Sequence, residues 1–215
     1  MDDEWLARWR DGRIGFHEGQ PNALLDRYVA RLAGARRVLV PLCGRSEDLA
    51  FLAAHGYEVV GVELSEQAVR AFFELHALVP AIERRGPLIE YRAGSITLLV
   101  GDWFATTPAL VGAVDAFYDR AALIALPAEV RARYVAHLRA VLPAGAPGLV
   151  ITLEYDAARM SGPPFPVTED ELRALYAGAT VEWLEDRAAS SGKCAQTETP
   201  ATERCFAIRL VEPHR

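Results

Sequence analysis

The chain has 215 residues, of which 51% are hydrophobic and 24% charged, and its formal net charge is −6 at pH 7. This length favours a single α/β domain, and no apolar run is long enough to cross a bilayer. The acidic start Met1-Asp2-Asp3-Glu4 is unlike a secretory signal, and the negative charge gives no reason to approach a phosphate backbone. We therefore expect a cytoplasmic protein with no nucleic-acid or membrane partner, and we expect it to be a monomer.

Apolar runs that are typical of strands alternate with helical patterns from about residue 37 to residue 155. The first run, residues 37–42, is followed by Ser46, which suits the N-cap of a helix. The second run, residues 58–64, is followed by the N-cap candidate Ser65. Such alternation predicts parallel strands joined by crossover helices.

The same reading continues to the C-terminal part of the chain. Thr168 and Glu171 have the spacing of a capping box, which predicts a helix start. Five further strands are predicted at residues 96–101, 114–118, 148–155, 181–184 and 205–211. We therefore predict a Rossmann-like α/β fold: seven mostly parallel strands with helices on both faces and the last strand antiparallel.

Long connections separate some of these elements. Besides residues 1–36, they are residues 78–95, 156–167 and 185–203. Connections of this length are usually functional covers or are disordered. Because residues 190–202 are rich in Ser, Thr, Gly and Pro, we predict that they are mobile. We also predict one domain over residues 37–215, with residues 1–36 as an N-terminal lid.

The three cysteines, Cys43, Cys194 and Cys205, are an odd number without C-x-x-C spacing. This pattern argues against a disulfide framework and against a structural zinc site, so we expect reduced thiols and no metal. Cys43 has apolar surroundings and no adjacent basic residue. It is therefore interpreted as a small buried residue rather than as a nucleophile.

Two strand ends suggest a ligand that contains adenosine. Gly44 follows the first strand, where a glycine lets the backbone approach a ligand closely, and Glu63 ends the second at the distance typical of a ribose-binding carboxylate. The first turn lacks the other glycines of a G-x-G-x-x-G motif, and a pyrophosphate there would meet Glu47 and Asp48. The alternative for Glu63 is a solvated or capping carboxylate.

The next two strand ends carry further candidates. Asp102 could accept a proton from an adenine amino group while Trp103 packs on the purine, although Trp103 is equally interpretable as a core aromatic. Asp119 and Arg120 follow the fourth strand, with a structural ion pair as the alternative. His17 stands next to a glutamate, but we do not assign it as a base, and the sequence singles out no catalytic residue.

Several motifs occur in a fixed order between Trp5 and about Phe165. They are Trp5-x-x-x-Trp9-x-x-Gly12-x-x-x-Phe16-His17, Pro41-Leu42-Cys43-Gly44, Val60-Gly61-Val62-Glu63-Leu64-Ser65, Asp119-Arg120-x-Ala122-Leu123 and Gly162-Pro163-Pro164-Phe165. Together they resemble the thiopurine S-methyltransferase family of class I methyltransferases, which use S-adenosylmethionine.

The resemblance implies an enzyme that methylates a soft nucleophile, such as a thiopurine or another small thiol, with S-adenosylmethionine as cofactor. It implies Phe16 and Arg120 as acceptor-binding residues. It also implies a cofactor site made of Trp5, Trp9, Leu42, Gly44, Glu63, Leu64, Asp102, Trp103 and Arg120. The same family contains enzymes that methylate halide, thiocyanate, or selenium and tellurium species.

Some features leave the function open. Asp119-Arg120-Ala121-Ala122 has alanine where a glycine is common in the family, and the segment before Phe206 lacks a basic residue sometimes placed beside a thiopurine. The sequence does not separate a cofactor role of Arg120 from an acceptor role. From other classes, an NAD(P)-dependent oxidoreductase would use Glu63 in the same way, and an inactive binding module would keep the fold.

Overall fold

The structure, a computed structural model, describes residues 2–12, 19–189 and 192–211. Phe16, predicted to contact the acceptor, and His17 lie outside these residues. Within them, nine strands form one sheet in the order β3-β4-β5-β2-β1-β6-β7-β9-β8. The strands are β1 (Arg37–Pro41), β2 (Glu58–Glu63), β3 (Ala81–Arg85), β4 (Leu88–Ala93), β5 (Ile96–Val100), β6 (Ala116–Asp119), β7 (Pro147–Tyr155), β8 (Thr180–Ala188) and β9 (Ala201–Arg209).

The centre of the sheet is parallel. β1 pairs in parallel with β2 and β6, β2 pairs with β5, and β6 pairs with β7. The remaining pairs, including those of β9 with β7 and β8, are antiparallel. The predicted Rossmann-like fold with an antiparallel last strand is therefore confirmed.

The prediction of seven strands is wrong, because the connection predicted at residues 78–95 contains a β-hairpin. β3 and β4 pair with Arg85 opposite Leu88, and Gly86 occupies the turn with φ +63°. β4 then pairs with β5. β3 was missed because it is exposed or half-exposed along its whole length, so it lacks the apolar alternation that marks a half-buried strand.

Helices cover the sheet and connect its strands. They are α1 (Asp2–Arg10), α2 (Ala23–Tyr28), α3 (Glu47–Ala54), α4 (Glu66–Leu75), α5 (Pro108–Val111), α6 (Ala122–Ala125), α7 (Ala128–Val141), α8 (Glu169–Leu175) and α9 (Gly192–Gln196). The N-caps predicted at Ser46, Ser65 and Thr168 are confirmed, since each hydroxyl accepts a hydrogen bond from a backbone N–H in the first turn.

The predicted connection at residues 185–203 is also wrong in part. β8 and β9 are each nine residues long and pair from Thr180–Arg209 to Ala188–Thr202, so both strands extend into it. α9 occupies much of the remainder. β8 is polar and largely exposed, which hid its length from the apolar pattern.

Two apolar layers enclose the sheet, and alternate residues of one strand enter opposite layers. Leu39 packs in one layer, while Val38 and Val40 pack in the other. Leu24, Leu25 and Leu32 belong to the second layer, although they precede β1. The lid of residues 1–36 stays a prediction, and these buried leucines limit any movable part of it to the residues before Asn22.

Candidate functional site

A cavity of about 1030 Å³ opens where the central strands end. Its wall includes every residue that the sequence analysis predicted for the cofactor: Trp5, Trp9, Leu42, Gly44, Glu63, Leu64, Asp102, Trp103 and Arg120. We call the part bordered by the ends of β1, β2, β5 and β6 the strand-end half. The part bordered by α6, β7, β9 and α9 is the β7–β9 half. The two halves lie side by side, because β6 is the neighbour of β7 in the sheet.

The turn after β1 is shaped by left-handed backbone. Leu42 has φ 48° and Gly44 has φ 55°, a region that favours glycine. A Cβ atom added to Gly44 would lie 3.3 Å from the indole ring of Trp9. The sequence analysis predicted that a ligand could approach the backbone at Gly44. In the structure, the buried side chain of Trp9, from α1, lies close to this glycine.

Glu63 is the last residue of β2, and only 8% of it is exposed. One carboxylate oxygen accepts a hydrogen bond from the backbone N–H of Gly44 at 2.8 Å, and the other accepts from Ser65 at 2.8 Å. Burial raises the pKa of Glu63, while these backbone N–H groups and that of Leu64 oppose the rise. Because an ionised carboxylate offers about four lone-pair sites, Glu63 retains capacity for further donors.

Asp102 and Trp103 follow β5 and begin a short 3₁₀ helix, Trp103–Ala105. Asp102 is exposed, and its carboxylate accepts a hydrogen bond from the backbone N–H of Phe104 at 2.9 Å. The Trp103 ring is buried, with its centroid 5.8 Å from that of Tyr134 and 5.0 Å from that of His137. Trp103 is thus a core aromatic that also forms part of the cavity wall.

Asp119 and Arg120 are neighbours with different surroundings. The buried carboxylate of Asp119 accepts hydrogen bonds from the hydroxyl of Tyr134 at 2.7 Å and from the backbone N–H groups of Ala122 and Leu123, at the start of α6. Burial raises the pKa of Asp119 to about 6. Arg120 lines the cavity. Asp119 therefore stabilises α6, while Arg120 is placed to act on a ligand.

Sequence analysis missed Phe104 and Arg133, which also line the strand-end half. The guanidinium carbon of Arg133 lies 3.8 Å from the centroid of the Phe104 ring, a cation–π contact. Arg133 comes from α7, whose apolar side chains Tyr134, Val135 and Leu138 face the core. The apolar pattern of a helix does not mark the charged residues on its polar side.

The β7–β9 half is largely apolar and includes Ile124, Leu153 and the prolines of the Gly162-Pro163-Pro164-Phe165 motif. It also has two charged residues. The ammonium group of Lys193 donates a hydrogen bond to the backbone carbonyl of Ser161. The buried carboxylate of Glu203 accepts one from Arg187 at 2.8 Å. The sequence analysis missed Lys193 because it lies in the segment predicted to be a mobile connection.

All three cysteines are buried. Burial raises the pKa of the Cys43 thiol, in accord with its interpretation as a small buried residue. Cys194 lines the β7–β9 half, and burial raises the pKa of its thiol too.

Across residues 2–12, 19–189 and 192–211, no group of three or more His, Cys, Asp or Glu side chains is arranged to hold a metal ion. No helix there combines the length and the apolar character needed to span a bilayer.

Comparison with known proteins gives a consistent result. The sequence model of the family described as Thiopurine S-methyltransferase (TPMT) matches residues 1–206. A thiopurine S-methyltransferase from Pseudomonas aeruginosa (strain UCBPP-PA14) is 52% identical over 186 residues, which cover 85% of each chain. One from Azotobacter vinelandii is 51% identical over 176 residues, which cover 81% of each chain.

A solved structure supports the fold. The Burkholderia thailandensis 1,6-didemethyltoxoflavin-N1-methyltransferase, determined with 1,6-didemethyltoxoflavin and S-adenosylhomocysteine, matches with a TM-score of 0.64 at 16% identity. The match covers 98% of the present chain and 87% of the other. At this identity, the likeness concerns the fold alone.

Proposed function

Because this chain belongs to the thiopurine S-methyltransferase family, we propose that it transfers the methyl group of S-adenosylmethionine to the sulfur atom of a small thiol, such as a thiopurine. The observation that carries this proposal is the cavity of about 1030 Å³, in which polar strand ends adjoin a mostly apolar half. An apolar wall suits an organic thiol better than halide, thiocyanate, or selenium and tellurium oxyanions, which are the other acceptors of the family.

The strand-end half suits the cofactor. Glu63 has acceptor capacity for the ribose hydroxyls, since each of its oxygens takes one backbone hydrogen bond and retains a lone pair. Asp102 would accept from the adenine amino group, beside the indole of Trp103. Once bound, S-adenosylmethionine supplies an electrophilic methyl group on a sulfonium sulfur. We assign Trp5, Trp9, Leu42, Gly44 and Leu64 to the same site.

The β7–β9 half suits the acceptor. Ile124, Leu153 and Pro163 offer apolar surface to the ring or chain of a thiol. Lys193 adds an ammonium group, which favours the thiolate form because a nearby opposite charge stabilises an anion. The thiolate is the nucleophilic form of a thiol. A thiol that is partly ionised at neutral pH needs no separate general base.

The chain's own contribution to catalysis is then mainly positional. Holding two reactants in line contributes on the order of 7–11 kcal/mol when the alignment is good. Arg120, at the junction of the two halves, would hold either an anionic acceptor or the carboxylate of the cofactor. α1 brings Trp5 and Trp9 to the cavity, so we assign it the role of a cover that excludes water.

A ligand-binding experiment tests the class of enzyme. S-adenosylhomocysteine at about 100 times its Kd should stabilise the protein by about 2.7 kcal/mol, because it binds the native state, whereas NADH should leave the melting temperature unchanged. Stabilisation by NADH alone would contradict the proposal in favour of an oxidoreductase. No stabilisation by either ligand would favour a binding module without this activity.

A transfer assay tests the acceptor. Methyl transfer from labelled S-adenosylmethionine would be measured with 6-mercaptopurine, a small alkyl thiol, iodide, thiocyanate, selenite and tellurite. We expect the highest kcat/KM with one of the two thiols. A higher kcat/KM with any of the inorganic acceptors would contradict the assignment of the apolar half to an organic thiol.

A further inference from the structure

A small recess of about 60 Å³ adjoins the main cavity. The two share Trp9, Leu42, Gly44 and Arg120 in their walls. The wall of the recess also includes four polar side chains, those of Arg45, Ser46, Asp48 and Tyr118. Arg120 therefore borders the main cavity, which is assigned to the ligands, and also the recess. Asp48 and Tyr118 line the recess but not the main cavity.

Asp48 is an unusual residue to bury, since a charged carboxylate loses its hydration in the interior. It lies in the first turn of α3 and is only 1% exposed. One oxygen accepts a hydrogen bond from the backbone N–H of Asn22 at 2.7 Å, and the other accepts from the hydroxyl of Tyr118 at 2.9 Å. Neither donor carries a positive charge, so these two bonds alone do not neutralise the carboxylate.

The charge of Arg120 compensates in part. Burial raises the pKa of Asp48, and the positive charge of Arg120, across the recess, acts in the opposite direction. Tyr118 belongs to β6 and Arg120 follows β6 directly, while Asp48 comes from α3. Two elements of the fold thus place a carboxylate and a phenol in one recess with two arginines, Arg45 and Arg120, and the charge of Arg120 is the one that acts on the pKa of Asp48.

We propose that Asp48 and Tyr118 are positioning residues, which hold the guanidinium group of Arg120 in the orientation that binds a ligand in the main cavity. Because Asp48 also accepts a hydrogen bond from the backbone of Asn22, the arrangement links Arg120 to the start of α2. This inference rests on the proposed function, since it requires that Arg120 binds the cofactor or the acceptor.

The competing explanation is structural. Asp48 ties Asn22, which caps α2, to α3, and it would do so whether or not Arg120 were present. The two explanations predict different energetic coupling between Asp48 and Arg120. A positioning residue loses its effect on ligand binding once Arg120 has been replaced, whereas an independent structural tie keeps it.

A double-mutant cycle separates them. Asp48→Asn, Arg120→Met and the double variant would be compared by the Kd of S-adenosylhomocysteine, from calorimetry, and by the acceptor KM and kcat at saturating S-adenosylmethionine. We expect Arg120→Met to raise Kd or KM, and we expect Asp48→Asn to raise the same constant by roughly tenfold. In the Arg120→Met background, Asp48→Asn should cause no further change. Tyr118→Phe should act in the same direction with a smaller effect.

Glu47→Gln is the matched control. Glu47 is the preceding carboxylate of the same helix turn, and its oxygen lies 3.4 Å from a ring nitrogen of His76. This replacement should leave Kd, KM and kcat unchanged.

Additive losses from Asp48→Asn and Arg120→Met would overturn the inference, as would an Arg120→Met variant with unaltered Kd and KM. Should Asp48→Asn fail to fold, the cycle of Tyr118→Phe with Arg120→Met decides by the same criterion, because that variant keeps the bond between Asp48 and Asn22. Failure of the unmodified protein to bind S-adenosylhomocysteine would refute the proposed function instead.

Discussion

The two halves of the cavity are held in place by different parts of the chain. In the strand-end half, Glu63 and Asp102 each accept a hydrogen bond from a backbone N–H two residues further along, and Glu63 accepts a second from the backbone N–H of Gly44. In the β7–β9 half, Lys193 donates to a carbonyl 32 residues away, and Glu203 accepts from an arginine 16 residues away.

This difference has a functional meaning under the proposed assignment. In the cofactor half, backbone N–H groups at the strand ends fix the carboxylates of Glu63 and Asp102. In the acceptor half, a carbonyl group and a side chain from other segments fix Lys193 and Glu203. Replacements in the first half should therefore act mainly on cofactor affinity, and those in the second on the acceptor.

The largest effect is expected where the halves meet. Asp119 holds α6, and Ile124 of α6 lines the cavity. The pKa of Asp119 is about 6 in the folded protein, against a usual value of 3.8, so the folded state binds this proton more tightly than the unfolded state. Its contribution to stability is therefore complete below about pH 4 and is lost as the pH rises through 6.

Urea unfolding of the wild type and Asp119→Asn between pH 4 and pH 7 measures this contribution. The stability of the wild type relative to the variant should fall by about 2 kcal/mol over this range. Other carboxylates titrate in both proteins and cancel in the difference. A difference that is independent of pH would show that Asp119 is not the responsible group.

The second prediction concerns the strand-end half. Glu63→Ala should weaken the binding of S-adenosylhomocysteine by roughly 1.5–3 kcal/mol, the range for hydrogen bonds to a charged group. It also leaves the N–H groups of Gly44 and Ser65 without their acceptor, so some loss of thermal stability should accompany it. Calorimetry gives the affinity, and the acceptor KM at saturating S-adenosylmethionine should be unchanged.

Glu63→Gln is the control, because its amide keeps one acceptor oxygen and should recover part of the affinity. Equal affinity in the wild type and a folded Glu63→Ala variant would remove the assignment of Glu63 to the ribose. A raised acceptor KM in Glu63→Ala would contradict the separate roles proposed for the two halves, since it would mean that they are coupled.

The smallest effect is expected in the β7–β9 half. Lys193→Met should raise the acceptor KM by about fivefold, because a partly exposed charge contributes only about 1 kcal/mol to an ion pair. The Kd of S-adenosylhomocysteine should stay the same. Lys193→Arg keeps the charge and should have the smaller effect on KM, and an equal loss in both variants would argue for the bond to Ser161 rather than for the charge.

Much of the strand-end half could be predicted from the sequence, because its polar residues directly follow strands that have recognisable local patterns. Apolar runs that lead into Gly44, Glu63 and Asp102, with Ser46 and Ser65 as N-caps, are local patterns, and the structure places these residues around one cavity. The roles of the residues in binding stay predictions. Arg120 was a candidate from its position after the fourth strand, and the family resemblance added its predicted role in binding a ligand.

The rest depends on contacts between distant residues. β3 is exposed and β8 is polar, so neither has the apolar alternation of a strand, and both are held by pairing with a neighbour. Lys193 lines the cavity because its neighbour in α9, Cys194, packs against Leu153 and Tyr155 of β7. Asp48 follows the N-cap Ser46 in the first turn of α3, and nothing in the local sequence signals its bonds to Asn22 and Tyr118.

The position of β9 has a consequence for biosynthesis. β9 follows β8 in the chain, yet it lies between β7 and β8, so β8 reaches the rest of the sheet only through it. Until the ribosome has added residues 201–209, β7 lacks its antiparallel neighbour and the β8 segment has no strand to join. The half of the cavity assigned to the acceptor therefore forms only after β9 has been synthesised, and until then β7 offers an open edge to chaperones or to other nascent chains.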